Sequence, residues 1–305
     1  MNDSRVEKRA IDVKAPRLSH DPRPTTAHAL YLVATPIGNL EDITLRALRT
    51  LREVRLIAAE DTRHTRKLLQ HHAIATPLIS YHEHNKRLRL DRILAALDEG
   101  DVALVSDAGT PGLADPGYEL VRAVQEAGRR VIPIPGASAL VSAVVASGLV
   151  PGPFAFLGFP PAAAGERRAA FAQLSLATSP TILYEAPHRL IATLEDLLRA
   201  CGDREVGIAR ELTKLHEEIR REPLSAALAH FRATPPRGEF VLIVAGQPTD
   251  ATADAASGEE TLRLLLAAGL PPTAAAKEAA RLSGSSRAEL YALAVTLKGA
   301  RPAVD

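Results

Sequence analysis

The sequence predicts an α/β protein of two domains followed by a small helical module. Three observations carry this. From residue 29 onward, short apolar runs alternate with segments whose apolar residues recur at helical spacing, the pattern of βαβ units around a mostly parallel sheet. Glycine and proline crowd several connections that follow those runs. Beyond a polar, alanine-rich stretch at residues 247–258, the apolar spacing is helical only.

Leu30-Tyr31-Leu32-Val33 reads as the first strand. Leu45, Leu48, Leu51 and Val54 then step at helical spacing, with Asp42 placed to cap. Strands follow at 56–59 and 77–80, with helices at 62–70 and 85–98; the second helix turns Leu88, Ile93, Leu94 and Leu97 inward. Residues 102–105 are a strand, 118–127 a helix closed by Gly128, and 131–134 a strand. Residues 137–147 form an apolar helix. The break LVPGP at 149–153 separates a second, smaller α/β domain. Its strands fall at 154–157, 181–184, 206–209 and 240–244, and its helices at 166–176, 190–200 and 224–231. Tail helices are expected near 260–268, 273–282 and 286–297. Their spacing suits a helix-turn-helix or a plain three-helix cap. The domains so read are 1–28 (disordered extension), 29–148, 149–246, 247–258 (linker) and 259–300 (helical module).

Composition narrows the function classes. The chain of 305 residues is 24% charged and 46% apolar, as soluble globular proteins are. Cys201 is the single cysteine, which excludes an intrachain disulfide and suits a reducing cytoplasm. No apolar run reaches membrane-spanning length, and residues 1–28 lack the apolar core of a signal peptide. There is no GxxxxGK[ST], no GxGxxG, no HExxH and no GxSxG. His64, His71, His72, His82 and His84 cluster without regular ligand spacing or a partner cysteine. They read as a polar or RNA-facing patch, and no metal is expected.

The chemistry is concentrated in loops at the carboxyl ends of strands, where open parallel sheets bind ligands. VSDAGTPGLADPG (105–117) places Gly109, Pro111, Gly112 and Pro116 beside Asp107 and Asp115. Glycine allows close backbone approach and positive φ, while proline stiffens the loop. TPIGN (35–39), PGASA (135–139), YEAPHR (184–189) and ARELTKLHEE (209–218) occupy equivalent places. Loops drawn from two domains are expected to line a cleft for a small molecule. A rigid connection without a ligand is the alternative.

These segments carry a family resemblance. ATPIGNLEDIT (34–44), AAEDTRHTRKLL (58–69), SYHEHN (80–85), VSDAGTPGLADPG, PGASAL (135–140), YEAPHR and ARELTKLHEE run in order across about two thirds of the chain. Together they resemble the tetrapyrrole methylase superfamily of S-adenosylmethionine-dependent enzymes, and within it the ribosomal RNA small subunit methyltransferase I branch. The Gly-Asp-Pro type loop of true tetrapyrrole methylases is replaced here by Ser106-Asp107-Ala108. The resemblance implies a two-domain tetrapyrrole-methylase-like fold with a small C-terminal helical module. It implies a homodimer and methylation of a cytidine ribose 2′-oxygen in the decoding region of 16S rRNA.

For the cofactor, S-adenosyl-L-methionine, the resemblance implies Pro36, Gly38, Ser106, Asp107, Ala108, Gly109, Leu113, Ala137, Ser138, Tyr184 and Ala186. Ala137 and Ser138 are expected to open a helix and offer free N–H groups. Glu185, Arg210 and Lys214 are the candidates to deprotonate the hydroxyl or stabilise its developing charge. Each is as readily an ordinary ion pair. Arg46, Arg49, Arg52 and Arg55 read as a solvated helix face. Arg63, Arg66, Lys67, Lys86, Arg87, Arg89 and Arg92 read as a phosphate-binding cluster for rRNA in the small subunit. Two other readings remain: a methylase of small tetrapyrroles, and a non-catalytic RNA-binding protein on this fold.

Overall fold

The computed structural model describes residues 28–83, 85–247 and 254–299. The expected extension at residues 1–28 lies, except for His28, outside the described residues, as do His84 and residues 248–253.

The described chain forms two five-stranded sheets and a helical tail. The first sheet holds β1 (Ala29–Val33), β2 (Leu56–Ala59), β3 (Leu78–Ser80), β4 (Val102–Val105) and β5 (Arg130–Ile134). Its order is β3-β2-β4-β1-β5, and every pair is parallel. The crossover helices are α1 (Leu45–Glu53), α2 (Thr62–His71), α3 (Lys86–Glu99) and α4 (Tyr118–Glu126). β2 and β4 are buried at every position, which is why each reads as an unbroken apolar run. Leu30, Ile79, Tyr81, Ile93, Leu97, Leu104, Leu120 and Val124 form the core here. The chain leaves β1 towards β2 on one side and leaves β4 towards β5 on the other. The switch point therefore lies between β4 and β1, where the connections at 34–44 and 106–117 begin.

α5 (Ala139–Ser147) leads to the second sheet: β6 (Ala155–Gly158), β7 (Thr181–Glu185), β8 (Glu205–Arg210), β9 (Glu218–Pro223) and β10 (Phe240–Val244). The order is β6-β7-β10-β8-β9, with only β6 and β7 parallel. α6 (Ala164–Leu174), α7 (Leu190–Cys201) and α8 (Leu224–Ala233) complete it. Alternation along β10 divides two cores. Phe240, Leu242 and Val244 meet Leu190, Leu194, Leu197, Leu228 and Phe231. Val241 and Ile243 meet Leu140, Ala143, Ile182 and Ala209.

Four local expectations are corrected. Asp42 does not cap α1; it ends a short 3-10 turn, Leu40–Asp42, capped by Asn39. α5 begins at Ala139, with Ser138 as its cap, so Ala137 is not helical. α6 lies two residues earlier than its pattern suggests. β9 went unread because its residues, EIRREP, are mostly charged. It is an edge strand, and Arg220 bonds Glu218 and Glu222 on the same strand face.

The chain divides into two compact units. One comprises Met1–Val33, Leu45–Asp107 and Pro116–Pro135; the other comprises Ala34–Thr44, Ala108–Asp115 and Gly136–Asp305. The connections after β1 and β4 thus belong with the second sheet. Ile37, Leu113 and Ala139 pack on the core formed by Leu140, Ile182, Leu212 and Val241. In the tail, α9 (Asp254–Ala267), α10 (Pro272–Ser283) and α11 (Arg287–Gly299) bury Leu262, Ala275, Ala276, Ala279, Leu290 and Ala294. Among the described residues, no helix is long and apolar enough to cross a membrane.

Candidate functional site

The second unit gathers five of the loops. Thr35 and Gly109 exchange both backbone hydrogen bonds, at 2.9 and 3.0 Å, which joins the loop after β1 to the loop after β4. Gly109 sits at φ +79° and Gly112 at φ +83°, conformations that L side chains rarely adopt. The Gly109 amide is therefore already used within the protein. A Cβ on Gly112 would meet no atom within 4 Å, so the backbone there is open. A Cβ on Gly136 would lie 3.0 Å from the Ala34 side chain, which brings the 135–138 loop against the start of the first. Ser138 caps α5 by accepting from the Val141 amide. The Leu140 amide donates to the Tyr184 hydroxyl at 3.1 Å. Burial, eased by that hydrogen bond and reinforced by the Asp115 charge, holds the Tyr184 phenol above its ordinary pKa.

Loop 211–217, between β8 and β9, meets the first loop at Gly38. A Cβ there would stand 2.5 Å from Lys214 Cγ and 2.8 Å from Thr213 Oγ1. Pro36, Gly38, Ala108, Gly109, Leu113, Ala137, Ser138, Tyr184, Ala186, Arg210 and Lys214 all belong to this unit.

The three catalytic candidates differ in kind. Glu185 is 1% exposed. Its oxygens accept from the Ala186 amide at 2.9 Å and from Thr193 Oγ1, and Arg189 Nε lies 3.3 Å away. It ties the YEAPHR turn to α7 and is not open to a substrate. Lys214 Nζ donates to Glu211 at 2.9 Å and Glu239 at 3.0 Å. Burial works against its charge, but these two hydrogen bonds prevail and hold the ammonium above its ordinary pKa. Held between two carboxylates, Lys214 is favoured in its charged form, which suits stabilising negative charge rather than accepting a proton. Arg210 pairs with Glu218 at 3.5 Å. Arg210 Nε and Thr213 Oγ1 are buried and have no hydrogen-bond partner among the described residues.

In the first unit, Ser106 is buried and Asp107 joins a carboxylate group at the ends of β2 and β4. Asp107 Oδ1 accepts from the Asp61 amide at 2.9 Å, and the Asp107 amide points to Glu60 Oε2 at 3.4 Å. Asp61 caps α2 and grips Arg63 at 2.7 Å; Arg63 holds its carboxyl well below the usual range. Burial first, then the Asp107 charge, hold the Glu60 carboxyl above its ordinary value. Such a group stabilises the fold when protonated, and that contribution is lost as pH rises through its folded pKa. Glu60→Gln should thus be more stable than the parent at pH 7, since Gln can still accept the Asp107 amide. The difference should close towards pH 4. Denaturant melts at both pH values read this; an unchanged or lower stability at pH 7 would contradict the arrangement.

The basic residues are not equally available. Arg63 is held by Asp61, and Lys86 by Glu83 and Glu119. Arg66 and Lys67 on α2 are exposed and Arg89 on α3 is half-buried; none has an ion pair among the described residues. The Arg87 side chain lies outside the described residues. On α1, Arg46 reaches the Pro133 carbonyl, Arg52 the His72 carbonyl and Arg55 the Glu99 carboxylate. Among the described residues, no group of three or more His, Cys, Asp or Glu side chains is arranged to hold a metal.

Comparison with known proteins agrees with this layout. The profile of the family described as Tetrapyrrole (Corrin/Porphyrin) Methylases matches residues 29–228, and that of the RsmI C-terminal HTH domain matches residues 252–298. The ribosomal RNA small subunit methyltransferase I of a Synechocystis strain is 50% identical over 88% of this chain and 98% of its own. The chain belongs to the ribosomal RNA small subunit methyltransferase I family. The Halalkalibacterium halodurans protein of that name is 47% identical over 86% of this chain and 93% of its own. Among solved structures, a cobalt precorrin-4 methyltransferase superposes with a TM-score of 0.56 at 15% identity, covering 71% of this chain and 94% of that one, which shows the shared fold.

The motif AAEDTRHTRKLL does not by itself single out Glu60. A usable signal was present: adjacent Glu60 and Asp61 directly follow a fully apolar strand, at its ligand-facing end.

Proposed function

We propose that this protein transfers the methyl group of S-adenosylmethionine to the ribose 2′-oxygen of a cytidine in the decoding region of 16S rRNA. It acts in the cytoplasm as a homodimer, on RNA presented by the small ribosomal subunit. The observation that carries the proposal is the gathering of five family-marked loops in one unit of a chain that belongs to this family.

The residues fit the cofactor. Gly112 leaves backbone open, and Arg210 Nε and Thr213 Oγ1 offer polar atoms with no hydrogen-bond partner among the described residues. The methionine and nucleoside parts would be held by Pro36, Gly38, Ala108, Leu113, Ala137, Ser138, Tyr184 and Ala186. Ser106 and Asp107 immediately precede this loop in the chain. Gly109 serves by locking two loops together. When bound, the cofactor supplies an electrophilic methyl group. Displacement at that carbon is in-line, so positioning dominates the rate. Lys214 and Arg210 place fixed positive charge near the developing oxyanion. Glu185 positions the turn that carries Ala186. Arg66, Lys67 and Arg89 hold RNA phosphates with Arg87 and Arg92, joined by Arg63 and Lys86 where RNA displaces their carboxylate partners. The helical tail adds contact area.

The test supplies labelled S-adenosylmethionine and small subunits from a strain lacking the modification, then maps a nuclease-resistant dinucleotide. Label on a cytidine 2′-oxygen is expected. Between about 50 and 200 mM salt, affinity should fall roughly 40-fold if three side chains each hold one phosphate. Removing residues beyond Asp250 should weaken methylation and spare cofactor binding. Label confined to a porphyrinoid, or none on RNA at low salt, would overturn the proposal.

A further inference from the structure

We propose that Leu215 is a wedge that enters the base stack of the RNA substrate and holds the target nucleotide out of it. This rests on the RNA-methylating reading above and names a positioning residue for it.

Loop 211–217 is a hairpin connection closed by the last β8–β9 pair, Arg210 opposite Glu218. Its backbone is strained: Glu211 at φ 51° and Thr213 at φ 65° are two of four non-glycine residues with positive φ among those described. It is also heavily cross-braced. The Glu211 amide donates to the Glu239 carbonyl, and the Glu239 amide returns to Glu211 Oε1. Lys214 Nζ bridges Glu211 and Glu239. The Thr213 amide donates to Glu217 Oε2 at 2.7 Å, and the Glu217 amide to the Lys214 carbonyl at 3.1 Å. Gly238, at φ +84°, lets Glu211 pack where a Cβ would lie 2.4 Å from it.

This bracing holds Leu215 into solvent at 92% exposure. An isolated exposed leucine needs no explanation. A strained, fixed loop that presents one, beside the cation of Lys214 and against the Gly38 turn of the proposed cofactor loops, does. A methyl acceptor in folded RNA must leave its stack to reach an enclosed donor, and an apolar side chain inserted between bases offsets the lost stacking.

The experiment compares Leu215→Ala, Leu215→Met and the parent on small subunits and on a short unstructured RNA carrying the same cytidine. Leu215→Ala should lose tenfold or more in kcat/KM on subunits and less than threefold on the unstructured RNA. Cofactor affinity should be unchanged, and Leu215→Met should restore most of the loss. Equal losses on both substrates, or none on subunits, overturn the wedge. So does a shift to monomer by sedimentation in Leu215→Ala, which would make the leucine an interface residue. A parent enzyme inactive on small subunits would instead overturn the functional reading itself, and a parent active on subunits but not on the unstructured RNA would overturn the wedge.

Discussion

Glu185→Ala is expected to destabilise the fold by roughly 3–5 kcal/mol, the range for removing one partner of a buried charged network. The carboxylate lies at 1% exposure and Thr193 at 0%. Removing it strands the buried Thr193 hydroxyl and the Ala186 amide, and takes away the carboxylate beside Arg189, which keeps its bonds to the Pro160 and Pro161 carbonyls. The melting temperature should drop by about 10 °C for a chain of this size. Glu185→Gln keeps an acceptor for the Ala186 amide and should retain most of the stability and activity. A proton-accepting role demands the reverse pattern: a stable, inactive Gln variant. Calorimetry and methylation rates on both variants decide between the two, and an inactive Glu185→Gln with parental stability would restore Glu185 as the base.

Gly38→Ala should cost about 100-fold or more in kcat/KM, equivalent to roughly 3 kcal/mol of transition-state stabilisation. One methyl group suffices because its carbon would lie 2.5 Å from Lys214 Cγ, 2.8 Å from Thr213 Oγ1 and 3.0 Å from the Leu212 carbonyl. Lys214 is doubly bonded to Glu211 and Glu239, so it cannot swing aside without breaking both. The loop must move as a body, and Lys214, one of the proposed oxyanion cations, moves with it. Gly112→Ala is the useful contrast, since its Cβ meets nothing and only the positive φ resists it. Retained folding by circular dichroism with lost turnover is the anticipated result for Gly38→Ala. Turnover within threefold of the parent would show that the loop is not held against Gly38.

Much of this was legible in the chain itself. The parallel first sheet follows from apolar runs such as Leu56–Ala59 and Val102–Val105, which are continuous because both sheet faces are covered. The candidate ligand loops stood out by glycine and proline placed after strands, and Gly109 and Gly112 do adopt positive φ. β9 was illegible because an edge strand rich in charge has no apolar period to read. Strand direction in the second sheet was equally hidden. Pairings such as β7 with β10 depend on residues far apart in sequence, and alternation of strand and helix does not encode them.

By itself, the sequence determined the order of the elements other than β9, the two sheets' apolar content, the helical tail and the family, because periodicity and motif order are local properties. Only the tertiary structure decided what each polar side chain is free to do. Glu185, Arg210 and Lys214 look alike in sequence as charged residues on polar loops. Packing buries the first against Thr193, holds the third between two carboxylates, and leaves Arg210 Nε without a partner among the described residues. Hydrogen-bond partners and desolvation are set by neighbours brought from distant parts of the chain, and these determine whether a charge is structural or available for chemistry.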